Sequence, residues 1–167
     1  MKRVMIIGQP GSGKSTLARA LGAKTNLPVH HMDMIHWMPG WIERPKPEKA
    51  AMANAIERQE AWILEGNLSA TYDHRLGHYD TLIVIDLPLP LRAWRVFKRT
   101  LLNRGRSRPD LPSNCPERFD REFWIYIWNT RKSARVRQLR AMSDAGPNVA
   151  IHHLQSRRAV QRFLTSV

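Results

Sequence analysis

Gly8-Gln9-Pro10-Gly11-Ser12-Gly13-Lys14-Ser15-Thr16 is the stretch that decides how this chain is read. It fits G-x-x-x-x-G-K-[ST], a loop whose glycines let the backbone curl with its N–H groups facing inward. A helix starting at the loop would add its N-terminal amides and the positive end of its dipole. Both features attract phosphate. Lys14 supplies a mobile cation for β- and γ-phosphates, and Ser15 a hydroxyl for Mg²⁺. The surroundings suit the loop. Arg3-Val4-Met5-Ile6-Ile7 is an apolar run leading into it, and Ser15-Thr16-Leu17-Ala18-Arg19-Ala20-Leu21 reads as a helix closed by Gly22.

Outward from the loop, strand and helix signals alternate, which predicts a parallel sheet covered on both faces. Strands are predicted over 3–8, 28–33, 61–65, 81–87 and from 149. Helices are predicted over 14–21, 48–60 (with Pro47 at its start), 91–103, 121–145 and 157–164. Residues 68–78 read as a short helix or an irregular piece. Residues 104–120 are polar and basic, interrupted by Gly105, Pro109, Pro112 and Pro116. So long an excursion in a compact α/β domain suits a lid or binding loop. In doubly wound sheets the ligand sits beyond the carboxyl ends of the strands. The expectation is one domain over 1–167, with a lid near 104–120 and an acceptor-site region near 33–60.

The 167 residues carry a net charge of +13, unevenly spread. Residues 1–89 hold 10 Lys/Arg against 9 Asp/Glu, whereas residues 90–167 hold 17 against 5. A basic half points to anionic partners, nucleotides or nucleic acid among them. The single cysteine, Cys115, excludes an internal disulfide and suits a reducing cytoplasm. No apolar run approaches membrane-spanning length, and no secretory leader is visible, so a cytoplasmic location without membrane contact is expected. The sequence leaves the oligomeric state open.

Candidate chemistry gathers at the predicted strand ends. Glu65 ends the third strand, where its carboxylate would join Ser15 around a metal; Asp86 competes from the fourth. Asp33 ends the second and could take the proton of an attacking hydroxyl. Trp37, Trp41 and Arg44 follow at spacings suited to a pocket wall with one cation. His30, His31, Asp33 and His36 look like a metal cluster, but strand alternation sends His30 and His31 to opposite faces, and no zinc spacing fits. Arg92, Arg95 and Arg99 share one helix face. Arg104, Arg106 and Arg108 lie in the lid segment, with Arg118, Arg121 and Arg131 beyond it. Arginine's planar fork matches phosphate oxygens, so this set reads as closing on nucleotide phosphates.

With these residues assembled, the chain resembles the P-loop kinases of the adenylate kinase and shikimate kinase type. It most resembles the subgroup named DNA topology modulation proteins (FlaR-like). The likeness rests on Gly8 to Thr16, His31-Met32-Asp33-Met34-Ile35-His36-Trp37, Pro39-Gly40-Trp41 with Arg44, Glu65-Gly66-Asn67, Asp86-Leu87-Pro88, Arg108-Pro109-Asp110 and Cys115-Pro116-Glu117-Arg118-Phe119-Asp120. The resemblance implies a three-layer α/β fold, with five parallel strands in order 2-3-1-4-5, helices on both faces and an arginine-bearing lid. It also implies ATP-Mg on the loop, an acceptor near Asp33 and Arg44, and adenine near Ser156 and Arg157. Two departures stand out. The region between Asp33 and Glu65 is shorter than a typical adenylate kinase acceptor domain, and Glu65-Gly66-Asn67 stands where shikimate kinases carry two glycines.

The reading is therefore an ATP- and Mg²⁺-dependent small-molecule kinase. Gly8, Gly11, Ser12, Gly13, Lys14, Ser15 and Thr16 hold the triphosphate, with Arg99 and Arg157 beside it. Ser15 and Glu65 hold the metal. Asp33, Trp37, Arg44 and Asn67 bind the acceptor. Lys14, Asp33, Arg106 and Arg131 act in transfer. One rival is a nucleoside monophosphate kinase. Another is a DNA-binding protein using the loop as a switch, which the basic half motivates but no recognisable nucleic-acid-reading motif supports.

Overall fold

In the computed structural model, residues 1–67 and 77–167 are described. The predicted piece over 68–78 falls almost wholly outside them. Among the described residues, five parallel strands form the main sheet: β1 (Arg3–Gly8), β2 (Val29–His31), β5 (Trp62–Glu65), β6 (Thr81–Ile85) and β7 (Ala150–Leu154). Their order is β2-β5-β1-β6-β7, with β1 at the centre. Met5 lies opposite Leu64 on one side and Leu82 on the other.

Residues 4–8 of β1 are buried throughout because both faces of the strand are covered. Val4 and Ile6 join Leu17 and Leu21 of α1 (Lys14–Thr25) and Phe163 of α6 (Arg157–Ser166). Met5 and Ile7 point the other way. They join Met32 and Ile35 of α2 (Met32–His36), and Ala141 of α5 (Arg121–Ser143). Ile56 of α3 (Lys46–Glu57) packs on that second core. The result is helix, sheet, helix, as expected. The remaining described helix, α4 (Leu89–Leu102), sends Arg92 and Val96 inward.

Two local expectations change and one element is added. Gly22 does not close α1, which runs on to Thr25 and ends at Asn26 with φ 57°. Gly22 is a packing residue: a Cβ there would meet Val29 Cγ2 at 2.4 Å. Second, the strand predicted to Asp33 stops at His31, and Asp33 lies in the first turn of α2. Third, Pro39-Gly40 is the tip of a small antiparallel pair, β3 (Trp37–Met38) and β4 (Ile42–Glu43). Gly40 at φ 83° and Trp41 at φ 62° make the reversal; two short apolar runs around Pro-Gly were the available signal.

Residues 104–120 carry neither helix nor named strand, but they are pinned. Arg104 bridges Glu117 and Ser107 bridges Pro116, while Asp110, Leu111, Cys115 and Glu117 are buried. Asp120 then caps α5, its Oδ1 accepting the N–H groups of Glu122 and Phe123. No described helix is long and apolar enough to cross a membrane.

Candidate active site

The glycine-rich loop leaves β1 and enters α1 through Gly11 at φ 77° and Gly13 at φ 96°, values that favour glycine. The N-terminus of α1 has no side-chain cap and no acidic residue in its first turn. Its free amides therefore face the cavity beyond the strand ends, an arrangement made for an anion. The loop is gripped from α4: Arg92 donates to the carbonyls of Leu87 and Pro10, and Arg95 to that of Ser12 at 3.0 Å. A Cβ on Gly11 would lie 2.3 Å from the Arg92 carbonyl. Two of the three arginines on that helix face thus grip the loop backbone, and Arg95 and Arg99 both line the cavity.

That cavity has a volume of about 1210 Å³ and gathers residues from across the chain. Gly11 to Thr16 line it, together with Asp33, Trp37, Trp41, Glu65, Asn67, Arg99 and Arg157. Gly8 lies beneath the loop, bonded to Asn67. Burial pushes the Lys14 ammonium below its ordinary value, against the pull of Glu65 and Asp33. Asp33 opens into the cavity. Desolvation there, and then Glu65, push its carboxyl up, with Lys14 and Arg108 opposing.

Glu65, not Asp86, shares the cavity with Ser15. Its Oε1 lies 2.7 Å from His31 Nδ1, a partner that strand alternation alone could not reveal. Asp86 pairs with Arg135 at 2.9 Å, in a separate basic cavity of about 530 Å³.

Three expected positions lie elsewhere. Arg106 is exposed and meets its neighbours through its backbone. Segment 104–120 turns so that Arg108 lines the cavity instead. There Arg108 pairs with Asp110 and Glu117, both at 2.6 Å, and Arg99 lies 3.1 Å from the same Glu117 oxygen. Arg131 stacks 4.0 Å over Trp128 on α5 and lines the second cavity. Arg44 donates from Nε to the Ile35 carbonyl at 2.9 Å and lies 3.6 Å from Glu48, outside the cavity. Sequence reasoning gave Asp110 no role; its carboxylate hydrogen-bonds Ser15 and is held below the ordinary value by Arg108 and that bond, against burial.

The hairpin and segment 104–120 are joined. Gly40 N–H donates to the Asn114 carbonyl, and Trp41 Nε1 to that of Pro116 at 3.1 Å. Cys115 Sγ accepts from Trp41 N–H at 3.4 Å.

No family model matches the chain. A cytidylate kinase of Pyrobaculum aerophilum is 30% identical over 130 residues, spanning 69% of this chain and 67% of that one. Among solved structures, shikimate kinase from Acinetobacter baumannii, in complex with shikimate, superposes with a TM-score of 0.60 at 11% identity. That match covers 99% of this chain and 90% of the other. A Janibacter sugar kinase reaches 0.52 at 19% identity, covering 99% and 93%. A gluconokinase from Sinorhizobium meliloti reaches 0.52 at 17%, covering 99% and 92%. At these identities the structures share the fold; the cytidylate kinase adds a relationship in sequence. The chain belongs to the P-loop kinase family of that cytidylate kinase and is a phosphotransferase.

Proposed function

We propose that this protein transfers the γ-phosphoryl group of Mg-ATP to a hydroxyl of a small-molecule acceptor. One observation carries the reading: the uncapped start of α1, with Lys14, faces the same cavity as the Asp33 carboxylate. Phosphoryl transfer asks for positioning and charge neutralisation, and this pairing supplies both. Loop amides and Lys14 would hold the β- and γ-phosphates. Asp33 would orient the acceptor hydroxyl and take its proton. Arg99 and Arg108 would neutralise charge on the moving group, in place of Arg106 and Arg131. Arg157 would lie on the nucleotide side. Residues 104–120 would act as the lid and 33–60 as the acceptor region.

The donor set fits Mg²⁺. The Ser15 hydroxyl and Glu65 carboxylate are hard oxygen donors beside the phosphate cradle, and among the described residues no group of three His, Cys, Asp or Glu could cage a metal. Mg²⁺ usually takes one or two protein oxygens plus phosphates. When bound, it neutralises β- and γ-phosphate charge.

Transfer is tested by Asp33→Asn and Lys14→Ala with ATP binding and turnover measured separately. Asp33→Asn should keep ATP binding and lose at least a hundredfold in turnover. Lys14→Ala should lose nearly all turnover. Unchanged turnover in Lys14→Ala would refute the reading. A second reading, a nucleoside monophosphate kinase, is favoured by the cytidylate kinase relative; a coupled assay with the common monophosphates separates the two. The quoted motifs also support placement in the DNA topology modulation subgroup, within which the cavity favours catalysis over a DNA-binding role.

A further inference from the structure

His31 and Glu65 meet where two strands end. They are register partners across β2 and β5, which run parallel, so their side chains leave the sheet on the same face. His31 Nδ1 lies 2.7 Å from Glu65 Oε1, with the histidine side chain 12% exposed and the glutamate 2%. A carboxylate buried to that degree needs a partner, and the ring supplies one. An ionised carboxylate only accepts, so Nδ1 carries the hydrogen. His31 also stands at the N-terminal cap of α2, yet its side chain makes no capping bond there. The ring is given to Glu65 instead.

Both oxygen donors assigned to Mg²⁺ thus have a protein partner. The Ser15 hydroxyl is hydrogen-bonded to the Asp110 carboxylate, and Glu65 to His31. Glu65 lines the main cavity together with Ser15 and Lys14, whereas His31 does not line it. Whatever His31 contributes there, it contributes through Glu65. The contribution is orientation. Mg²⁺ demands near-ideal octahedral geometry, so a carboxylate free to turn is a poor ligand for it. A bond from the ring to Oε1 fixes the carboxylate plane and leaves Oε2 for the ion. His31 also precedes Asp33 by two residues, so it ties the carboxylate of β5 to the helix that carries the proposed base.

We propose that His31 is a positioning residue for the metal site: its Nδ1–H holds Glu65 Oε1 and thereby sets Oε2 for Mg²⁺ on the nucleotide. This rests on the reading of the protein as a Mg-ATP-dependent kinase with Glu65 on the metal, and adds a residue that the reading does not use. Outer partners of this kind typically contribute about 10- to 100-fold to metal affinity.

The test uses the full chain and reads metal binding apart from turnover. Mn²⁺, which takes the same oxygen donors, replaces Mg²⁺, and its binding to the ADP-loaded chain is followed by electron paramagnetic resonance. ADP affinity is measured separately in EDTA, and urea unfolding checks the fold. His31→Asn places an amide donor where Nδ1 stood; His31→Gln keeps polarity and bulk but carries its amide at the Nε2 position. His31→Gln should weaken Mn²⁺ binding about tenfold or more, while ADP affinity in EDTA moves less than about twofold. His31→Asn should recover Mn²⁺ binding to within about threefold of wild type. Glu65→Gln should weaken it at least as much as His31→Gln, and His31→Gln added to Glu65→Gln should cost less than about twofold more. Unchanged Mn²⁺ binding in His31→Gln, equal losses in the two histidine variants, or additive losses in the double variant overturn the proposal. Unfolding of both histidine variants overturns it too, since His31 would then be structural. Those outcomes leave the metal role of Glu65 standing if Glu65→Gln alone loses Mn²⁺. Wild-type Mn²⁺ binding in Glu65→Gln removes that role and the proposal with it.

Discussion

Asn67 closes both backbone polar groups of Gly8: its Nδ2 donates to the Gly8 carbonyl at 2.5 Å, and its Oδ1 accepts the Gly8 N–H at 3.2 Å. The end of β5 thereby fixes the point at which β1 becomes the phosphate loop. Sequence reading placed Asn67 on the acceptor; the structure shows it lining the cavity while latching the loop. Asn67→Ala removes two bonds worth about 1–2 kcal/mol together. The ATP dissociation constant, measured by titration calorimetry, should rise about tenfold. Asn67→Asp should do worse, since it sets a carboxylate against the Gly8 carbonyl.

Gly11→Ala should destabilise the chain far more than Gly40→Ala. Both glycines have positive φ, 77° and 83°. At Gly11 the added methyl would also strike the Arg92 carbonyl, whereas at Gly40 nothing lies within 4 Å. Urea unfolding should show a loss of about 1 kcal/mol at Gly40 from strain alone, and at least twice that at Gly11.

Trp41→Phe keeps a ring against Trp37 but loses the indole bond to the Pro116 carbonyl. Limited proteolysis between residues 104 and 120 should become several-fold faster, for a loss of about 1 kcal/mol in lid docking. An unchanged cleavage rate would mean the hairpin does not hold the lid.

The acid limb of the pH–kcat/KM profile should lie above the ordinary carboxylate value of about 4. Asp33 must be ionised to take a proton, and desolvation followed by Glu65 raises its carboxyl, with Asp110 adding to the rise and Lys14 and Arg108 opposing it. As pH falls through that raised value, activity is lost. In Asp33→Asn the limb should vanish from the residual rate.

Asp80 ties the start of β1 through the N–H groups of Lys2 at 2.8 Å and Arg3 at 2.9 Å, and accepts the Thr81 hydroxyl. Burial raises its carboxyl, but these three bonds outweigh burial and leave it below the ordinary value. Its stabilising contribution is full above the unfolded value and is lost as pH falls through the lower folded one. Asp80→Ala should cost about 1–2 kcal/mol in urea unfolding at pH 7. That gap to wild type should narrow as pH falls below the ordinary carboxylate value of about 4.

The sequence alone determined the phosphate loop, the sheet that carries it and the layering of helices. Those features are written in short-range chemistry: glycines where φ turns positive, an unbroken apolar run for a strand buried on both faces, and helical spacing on either side. Only the tertiary structure decided which charged groups meet. Glu65 rather than Asp86 shares a cavity with Ser15, while Asp86 at the end of β6 is paired with Arg135. Arg108 rather than Arg106 lines the cavity, with the bridge from Ser107 to Pro116 setting the turn of segment 104–120. Arg44 is spent on the Ile35 carbonyl, and His31 finds Glu65 across neighbouring strands. A charge is paired by whichever distant segment the fold delivers to it, and spacing along the chain carries no record of that meeting.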